Sequence, residues 1–335
     1  MRGFFLLINV KNPIFENLLL LEMKILVTGA AGFIGSHMAE ALARQGHEVI
    51  GLDNFAPYYN RSLKELNREA VVASGSRFIV GDLLDNLETM LPDDIEIIYH
   101  FAAQPGISSS TDYRLYKLNN IQATQNLFKW AKGLARLQMF VNISTSSVYG
   151  LEAIGNEEAE PSPASDYGMT KLAAEQFVMQ ESKISKTPVC SIRLYSVYGP
   201  RERPEKLYTK LIKAILEDTS FPLYEGSEMH LRSFSYVGDV IQGMIKILNH
   251  LEACNGQIIN LGNDQVYSTA EGIEMVEELL GKKAVLTTKV KRAGDQRITT
   301  ANIDKARHIL MYEPSTSFKE GLRAQIEWFK ENFYR

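Results

Sequence analysis

Tyr167 and Lys171, in the stretch SDYGMTKLAAEQ, have the residue types and the spacing to transfer a proton together. Residues four apart lie on one face of a helix, and the preceding Ser165 or Asp166 could cap that helix. A free tyrosine has a pKa of about 10 and is a weak base at neutral pH, but a neighbouring ammonium group stabilises the phenolate. We therefore expect Lys171 to lower the pKa of Tyr167 and the pair to act in acid–base catalysis.

A second pair with the same spacing, Tyr113 and Lys117, means that spacing alone does not identify the catalytic residues. The run NISTSSVYG supplies further context, because it ends an apolar stretch with serines and a threonine at 144–147. Ligands bind at the carboxyl ends of the strands of a parallel sheet. A hydroxyl group at this position could hold a substrate oxygen next to the phenol of Tyr167.

A glycine-rich turn, TGAAGFIGSH, follows the first apolar run and opens the first helical stretch. Gly29, Gly32 and Gly35 would let the backbone approach a pyrophosphate at the positive end of that helix. Asp53 ends the next apolar run, where a carboxylate accepts hydrogen bonds from both ribose hydroxyls of an adenosine and repels a 2′-phosphate. The order of strand, glycine turn, helix and acidic residue predicts a site for NAD rather than NADP. Asp82, after the third run, either reaches the adenine or only forms a turn.

The elements that must position these residues alternate along the chain. Buried parallel strands are predicted by the apolar runs KILVTG, HEVIGLD, RFIVGD, IEIIYHFA, QMFVNIST, VCSIRLYS and QIINLG. The alternation with helices predicts an α/β fold: a Rossmann-type doubly wound parallel sheet with a smaller mixed α/β region towards the C-terminus. The predicted helices span residues 33–45, 62–73, 112–133, 167–183, 207–217, 239–249 and 270–280.

Composition and charge are those of an ordinary globular protein. Of the 335 residues, 45% are hydrophobic and 23% charged, the net charge is −4, and the basic residues are dispersed, which opposes nucleic-acid binding. Two cysteines make no disulfide framework, and the six histidines show no metal-ligand spacing. No polar linker divides the chain, so we expect an NAD-binding domain at 23–190 that interleaves with a substrate-binding region at 191–335.

The first 22 residues, MRGFFLLINVKNPIFENLLLLE, are apolar but are interrupted by Lys11, Pro13 and Glu16. No uninterrupted apolar run reaches the roughly 20 residues that span a bilayer, and the pattern of a cleavable signal is missing. We interpret residues 1–22 as an extension upstream of a start at Met23. The sequence predicts a protein without membrane association, located in the cytoplasm.

Five motifs, TGAAGFIG, HFAAQ, STSSVYG, YGMTK and RLYSVYGPRERP, together resemble the nucleotide-sugar branch of the extended short-chain dehydrogenase/reductase superfamily. The similarity runs from Lys24 to near the C-terminus and selects Tyr167 and Lys171 as the catalytic pair. It implies that Tyr167 removes the proton of a sugar 4-hydroxyl, that hydride passes to NAD⁺ and returns to the other face, and that Thr145 binds the same oxygen. Lys171 would also bind the nicotinamide ribose. The implied cofactor-binding residues are Gly29, Gly32, Phe33, Ile34, Gly35, Asp53, Asn54, Asp82, Leu83, Ala102, Ala103, Tyr167, Lys171 and Tyr195.

The hydroxyl run distinguishes the branches of this family. Dehydratases and decarboxylases of the family carry carboxyl side chains in it, whereas this chain has Thr145, Ser146 and Ser147. The pattern is most similar to that of UDP-glucuronate 4-epimerases, NAD-dependent isomerases that interconvert UDP-glucuronate and UDP-galacturonate. A 4-keto uronate readily loses CO₂, so its carboxylate must be held in place. Ser146, Ser147 and Ser196 could clamp it, and Arg203 could bind or orient it.

Three departures from that pattern leave other substrates open. Ser108, Ser196 and Ser233 stand where glucuronate epimerases commonly have Arg, Thr and Asp. The missing arginine removes a possible partner of a carboxylate. The first alternative is therefore a UDP-hexose or UDP-N-acetylhexosamine 4-epimerase. The second alternative is a UDP-sugar 4,6-dehydratase or decarboxylase, which the absent carboxyl groups oppose. Asp53 opposes a reductase that uses external NADPH. The retention of the complete set of Tyr167, Lys171 and Thr145 opposes a non-enzymatic dinucleotide sensor.

The resemblance also extends to the nucleotide end of a UDP-sugar substrate. It implies Arg232 and Arg292 as partners of the diphosphate and Asp295 as an acceptor for the uridine ribose. The alternative for each arginine is a solvated surface charge. Asn120 matches a position that supports the backbone of the site or contacts the ligand. The helices at 112–133 and 167–183 are those that the family pairs in a four-helix contact, which implies a homodimer.

Overall fold

The computed structural model of the protein describes residues 22–106, 111–290 and 296–334. Strands and helices alternate through the first half of the chain, as the apolar runs and helical stretches predict. The strands are β1 (Lys24–Thr28), β2 (Glu48–Asp53), β3 (Arg77–Val80), β4 (Ile97–His100), β5 (Met139–Thr145), β6 (Glu152–Ala153), β7 (Val189–Leu194), β8 (Val197–Tyr198), β9 (Ser220–Tyr224), β10 (Leu231–Arg232), β11 (Ser235–Tyr236), β12 (Ile258–Leu261), β13 (Tyr267–Ser268), β14 (Val285–Lys289) and β15 (Ile298–Thr299).

Each predicted helix forms, although the one expected at 112–133 is interrupted by a π-helical turn, Lys117–Gln122. Two helices near the C-terminus were not predicted. The second of them begins at a capping box formed by Ser317 and Glu320, a signal that is present in the sequence. The α-helices are α1 (Phe33–Arg44), α2 (Arg61–Ala73), α3 (Leu87–Met90), α4 (Tyr113–Tyr116), α5 (Ala123–Ala131), α6 (Asp166–Ser185), α7 (Leu207–Leu216), α8 (Val237–Ile245), α9 (Leu251–Cys254), α10 (Thr269–Leu280), α11 (Asp304–Leu310) and α12 (Phe318–Phe333).

Seven strands form one parallel sheet in the order β12-β7-β5-β4-β1-β2-β3. The order of the strands reverses at β1, so a ligand crevice is expected at the carboxyl ends of β1 and β4. This topology confirms the predicted α/β fold with a Rossmann-type doubly wound sheet. The carboxyl ends of β1, β2, β4, β5 and β7 are followed by most of the residues that the sequence assigns to the site.

The sheet is covered on both faces, which explains why its strands are continuous apolar runs. Successive side chains of a strand point to opposite faces. Ile25 and Val27 of β1 therefore join one buried cluster, and Leu26 joins the other. All three side chains are inaccessible to solvent. This double core holds the carboxyl ends of the strands, and with them the candidate site, in a rigid arrangement.

The later part of the chain adds small sheets and a third apolar core. The sheets are β13-β10-β15-β6, the parallel pair β11-β8 and the parallel pair β14-β9. Tyr198, Phe234 and Phe318 pack at the centre of the third core, with the rings of Phe234 and Phe318 stacked at 4.9 Å.

The two predicted regions are interleaved in the structure. Strand β7 crosses the boundary predicted at residue 190, and β12 from the later region forms an edge of the central sheet. The division into 23–190 and 191–335 stays a prediction, and all but the last residue of the proposed extension 1–22 lies outside the described ranges. Within those ranges, no helix has the length and apolar character needed to cross a membrane.

Candidate active site

Helix α6 carries the predicted catalytic pair and begins at a capped N-terminus. Ser165, one of the two predicted caps, accepts a hydrogen bond on its Oγ from the backbone N–H three residues later at 3.1 Å. Tyr167 and Lys171 consequently lie one turn apart on one face of the helix. Tyr167 is half-buried and Lys171 is buried, whereas Tyr113 and Lys117 of the second pair are exposed. The structure thus places only the first of these two pairs inside the fold.

Strand β5 ends at Thr145 and delivers hydroxyl side chains to the start of α6. The Thr145 hydroxyl is hydrogen-bonded to the phenol of Tyr167. Thr145 Oγ1 also donates to Ser147 Oγ at 3.3 Å and accepts from the Ser147 backbone N–H at 3.2 Å. A turn of 3-10 helix follows, Ser146–Tyr149, in which the side chains are buried. The predicted catalytic residues and both serines are therefore brought together, while their roles remain predictions.

The pKa of Tyr167 is raised above its ordinary value of 10.0 because burial penalises the phenolate. The positive charge of Arg203 opposes this rise, and so does the hydrogen bond with Thr145. Desolvation outweighs these favourable effects, and the contribution that we expect from Lys171 to the phenolate of Tyr167 stays a prediction. The cation with the largest favourable effect on the phenolate is Arg203.

Lys171 has a pKa lowered to about 8, and burial is again the main cause. Glu175, one turn further along α6, opposes the decrease. This carboxylate is itself held by Arg193 of β7, whose Nη2 lies 2.6 Å from Glu175 Oε1, and both side chains are 2% exposed. Lys171 therefore titrates close to neutral pH within a site that also contains Tyr167.

The π-helical turn between α4 and α5 positions Asn120 behind the site, which is a common use of such turns. Asn120 Oδ1 accepts from the Gln104 backbone N–H at 2.7 Å, and its Nδ2 donates to Thr170 Oγ1 at 3.0 Å. Asn120 thereby connects the loop after β4 to the first turns of α6. Asn120 could either support the backbone of the site or contact the ligand, and these hydrogen bonds support the backbone.

His100 at the end of β4 was not singled out from the sequence, yet it lies in the same network. It is fully buried between Thr28 Oγ1 and Thr124 Oγ1, each 2.8 Å from a ring nitrogen. Burial, together with the smaller effect of the Lys171 charge, lowers the pKa of His100 to about 3. His100 is therefore a neutral link between β1 and α5, and Thr28 in turn accepts from the Ala102 N–H at 3.2 Å.

The glycine turn connects β1 to α1 in the way that the sequence predicts. Gly29 has a φ of +71°, and a Cβ there would lie 2.8 Å from the backbone nitrogen of Ala102. A Cβ on Gly35 would lie 2.3 Å from the oxygen of Gly29. Gly32 is the N-cap of α1, no side chain of the described residues caps it, and the first turn has no acidic residue. The helix N-terminus can therefore receive an anion.

Asp53 lies beside this turn at the end of β2. Its Oδ2 accepts from the Ala31 N–H at 3.1 Å and its Oδ1 from the Phe55 N–H at 2.8 Å. Lys64 Nζ is 3.6 Å from Asp53 Oδ1, and both side chains are nearly buried. The backbone contacts keep the carboxylate at the edge of the crevice, where the sequence places an acceptor for a ribose.

The other predicted cofactor contacts follow the ends of neighbouring strands. Asn54 Nδ2 donates to Asp82 Oδ2 at 2.8 Å, and Leu83 beside it is buried. The alanines after β4 are partly exposed. Tyr195, directly after β7, is fully buried, and its hydroxyl has no hydrogen-bond partner among the described residues. Phe33 and Ile34 form the first turn of α1.

Arg203, the predicted partner of a sugar carboxylate, is the positive charge with the largest effect on the phenol of Tyr167. Its guanidinium lies over the ring of Tyr58, 5.6 Å from the centroid. Ser196, between β7 and β8, is half-buried, and Arg232 in β10 is partly buried and contacts the backbone oxygen of the preceding residue. Sequence reasoning missed Tyr58, because nothing in its local pattern indicates a partner about 145 residues away.

The predicted contacts Arg292 and Asp295 lie outside the described residues, and so does Ser108, which stands where glucuronate epimerases commonly have an arginine. Ser233, which replaces an aspartate common among glucuronate epimerases, is fully buried and donates its hydroxyl to the backbone oxygen of Asn263. In this chain the position therefore stabilises the fold between β10 and the loop after β12.

Comparison with known proteins now decides the family. The model of the family described as "NAD dependent epimerase/dehydratase family" matches residues 25–262. The chain belongs to this family. It is 37% identical, over 91% of its length and 98% of the relative, to a Bacillus subtilis protein named "Uncharacterized UDP-glucose epimerase YtcB". It is 32% identical to UDP-glucuronate 4-epimerase 2 of Arabidopsis thaliana, over 92% of this chain and 76% of that one.

The fold of this family member also matches solved structures. UDP-glucuronic acid 4-epimerase from Bacillus cereus, in complex with UDP-glucuronic acid and NAD, superposes with a TM-score of 0.88. The two chains are 37% identical, and the alignment covers 93% of this chain and all of the other. The predicted membership of the nucleotide-sugar branch is thereby confirmed.

NAD is the cofactor of this epimerase/dehydratase family, and the crevice of this member fits it. The uncapped N-terminus of α1 suits a pyrophosphate, since its first turn carries no competing carboxylate. Gly29, Gly32 and Gly35 leave no side chain between that helix and a ligand. Asp53 offers carboxylate oxygens one strand away. Among the described residues, no group of histidine, cysteine or acidic side chains could hold a metal ion.

Proposed function

We propose that the protein is a UDP-sugar 4-epimerase and that it interconverts UDP-glucuronate and UDP-galacturonate. One observation carries this proposal: the side chains next to Tyr167 at positions 145–147 are hydroxyls, and none is a carboxyl group. Loss of the sugar 6-hydroxyl needs an acid and a base. Neither is available at these positions, and the relatives named UDP-glucuronate 4-epimerase support the same conclusion.

Tyr167 is the proposed acid–base group. It removes the proton of the sugar 4-hydroxyl and returns it after the sugar has turned over. Thr145, already hydrogen-bonded to the phenol, holds the same sugar oxygen, and Arg203 stabilises the phenolate. Bound NAD supplies the oxidant and the reductant for C4, so the reaction has no net redox change. Lys171 is proposed to bind the nicotinamide ribose.

Retention of the sugar carboxylate is the second requirement. A 4-keto uronate is a β-keto acid, which loses CO₂ when the carboxylate is free to align with the ketone. Ser146 and Ser147 are buried and Ser196 is half-buried, so they can hold the carboxylate without protonating it. Arg203 can bind it in a bidentate manner.

The remaining sequence-predicted contacts complete the proposal. Asp53 binds the adenosine ribose of the cofactor, and the glycine turn binds its pyrophosphate. Arg232 and Arg292 bind the diphosphate of the substrate, and Asp295 binds the uridine ribose. These contacts rest on the resemblance and on the charges of the side chains.

Proton NMR of the products from UDP-glucuronate tests this function. The expected product is UDP-galacturonate, formed without CO₂ by the NAD-loaded protein. UDP-xylose or a 4-keto pentose would mean that the hydroxyl cluster does not protect the carboxylate, and the proposed epimerase would be rejected. Tyr113→Phe serves as the active control, because it leaves the catalytic pair unchanged and keeps the ring of this exposed tyrosine.

A neutral UDP-sugar is the second candidate. It is favoured by Ser108, which stands where an arginine could have paired with the carboxylate. The similarity to the Bacillus subtilis protein named a UDP-glucose epimerase also favours it. Absence of turnover with UDP-glucuronate, together with conversion of UDP-glucose or UDP-N-acetylglucosamine, would establish this alternative.

We also propose a homodimer in which α4, α5 and α6 of two copies form a four-helix contact. These helices pack against one another, and apolar side chains on α4, on the π-helical turn and on α6 are exposed: Tyr113, Leu115, Leu118 and Met169 are 37% to 47% accessible. Such a patch is unfavourable in water and is typical of an interface. The predicted cytoplasmic location stays a prediction.

A further inference from the structure

Arg203 is already occupied by a carboxylate of the chain itself. Its Nη1 lies 2.6 Å from Glu205 Oε1. The same guanidinium stacks on Tyr58 and stabilises the phenolate of Tyr167. The cation that we assign to the substrate carboxylate is therefore paired, close to the catalytic tyrosine, with an internal acidic group.

A uronate carboxylate would arrive at this same place. In the sugar, the carboxylate carbon is two bonds from C4, so it lies near Tyr167 whenever the 4-hydroxyl does. Arg203 lies next to the loop after β4. A Cβ on Gly106 of that loop would lie 3.6 Å from Arg203 Nη2. Tyr116, whose ring contacts that of Tyr167, donates to the Gly106 oxygen at 2.7 Å.

The loop between β8 and α7 contains Arg203 and Glu205. The residues that precede Arg203 in this loop contact α1. Arg201 forms an ion pair with Glu40 of α1. His37 Nε2, also on α1, donates to the Pro200 oxygen at 3.0 Å. These two contacts attach the loop that carries Arg203 to the helix that begins the cofactor crevice.

Glu205 is the more exposed member of the pair. Its side chain is 34% exposed, against 14% for Arg203. Among the described residues, neither Arg203 Nη1 nor Glu205 Oε1 has a hydrogen-bond partner of aligned geometry, although both atoms are hidden from solvent. The contact is thus a close charge pair without a directed hydrogen bond, which compensates poorly for the desolvation of its charges.

We propose that Glu205 is a resident carboxylate which a uronate sugar displaces from Arg203, so that Glu205 sets the selectivity between uronates and neutral sugars. This inference rests on the proposed function. A substrate carboxylate can form the bidentate pair that Glu205 lacks, and the released Glu205 turns into solvent. A neutral UDP-sugar leaves the Arg203–Glu205 pair intact. Binding of a uronate is consequently weakened by the cost of displacing Glu205.

The test is the dissociation constant of each nucleotide sugar for the NAD-loaded protein, measured by titration calorimetry with wild type and Glu205→Gln. We expect Glu205→Gln to bind UDP-glucuronate about three- to ten-fold more tightly, the range of partly exposed charge pairs. Its affinity for UDP-glucose should change less than about two-fold. Glu313→Gln, which removes an exposed partner of Arg307, is the matched control and should change neither value.

The outcomes separate this inference from the proposed function. Unchanged or weaker binding of UDP-glucuronate by Glu205→Gln, while wild type still epimerises it, overturns the inference alone. An equal gain for both sugars also overturns it, because displacement requires a carboxylate. Failure of wild type to bind or convert UDP-glucuronate rejects the function and the inference together. In an Arg203→Met background, Glu205→Gln should have no further effect on the affinity for UDP-glucuronate.

Discussion

Tyr167 combines a phenol at the start of a helix with a buried, hydroxyl-lined environment. Tyr167→Phe keeps the ring and removes the group that exchanges the proton, so we expect kcat to fall by about a thousand-fold or more. Substrate affinity should change little, since the ring contacts remain. Tyr113→Phe is the control for the other tyrosine with the same spacing and should retain full activity. Wild-type activity of Tyr167→Phe would mean that another group transfers the proton.

Lys171 should leave a signature in the pH dependence of stability. Its pKa is about 8 in the folded protein and 10.5 without the fold. Below a pH of about 8 both states are charged, and the folded state bears the full cost of burying the ammonium. Between about 8 and 10.5 the unfolded state binds more protons, so this cost disappears as the pH rises.

Lys171→Met should therefore stabilise the protein near pH 7, by up to about 3 kcal/mol for a shift of this size. The gain should shrink through pH 9 and vanish above about 10.5, because Lys171 is then neutral in both the folded and the unfolded state. Urea unfolding of Lys171→Met and wild type at several pH values measures this difference in the free energy of unfolding. Lys117→Met, at an exposed position, is the control and should show no such pH dependence. A constant difference across this range would contradict the lowered pKa.

At the scale of elements, a buried ion pair joins α6 to the central sheet. Glu175 on α6 receives hydrogen bonds from Arg193 Nε at 3.1 Å and Nη2 at 2.6 Å, and from Ser191 Oγ at 3.1 Å. Arg193 Nη1 also donates to the Tyr149 hydroxyl at 2.8 Å. The pair thus connects the helix that carries Lys171 with β7 and with the turn that carries the serines.

Glu175→Gln removes one charge and leaves Arg193 buried without its counter-ion. We expect the free energy of unfolding to fall by about 3–5 kcal/mol. The matched control on the same helix is Glu181→Gln, whose exposed ion pair with Lys132 at 3.4 Å should contribute less than about 1 kcal/mol. Chemical denaturation compares the two variants. Equal losses would show that the charge of Glu175 is not compensating Arg193.

At the scale of the whole molecule, the exposed apolar side chains of α4, the π-helical turn and α6 predict self-association. Analytical ultracentrifugation should give twice the monomer mass for wild type. Leu118→Glu and Met169→Glu place charges in the proposed contact and should shift the protein to monomers, because an unpaired charge is costly in an apolar interface. Met229→Glu, at a distant position that is 73% exposed, should leave the dimer intact. A monomeric wild type would reject this contact.

The larger part of the fold was predictable because it depends on local patterns. Continuous apolar runs predicted all seven strands of the central sheet, and the glycine turn with Asp53 predicted the cofactor crevice. The Tyr167–Lys171 pair followed from helical spacing, although only the surrounding motifs distinguished it from Tyr113–Lys117. The helix α12 could also have been found from its capping box.

The properties of the site were decided by the tertiary structure, because they arise between segments that are distant in sequence. Burial raises the pKa of Tyr167, whereas its neighbour in sequence, Lys171, suggested the opposite. Arg203, the cation with the largest favourable effect on the phenolate, comes from a loop after β8. Its pairing with Glu205 and its stacking on Tyr58 depend on how that loop packs against the crevice. Local sequence therefore determined which side chains reach the site, and the packing of the chain determined their charge, partners and solvent exposure.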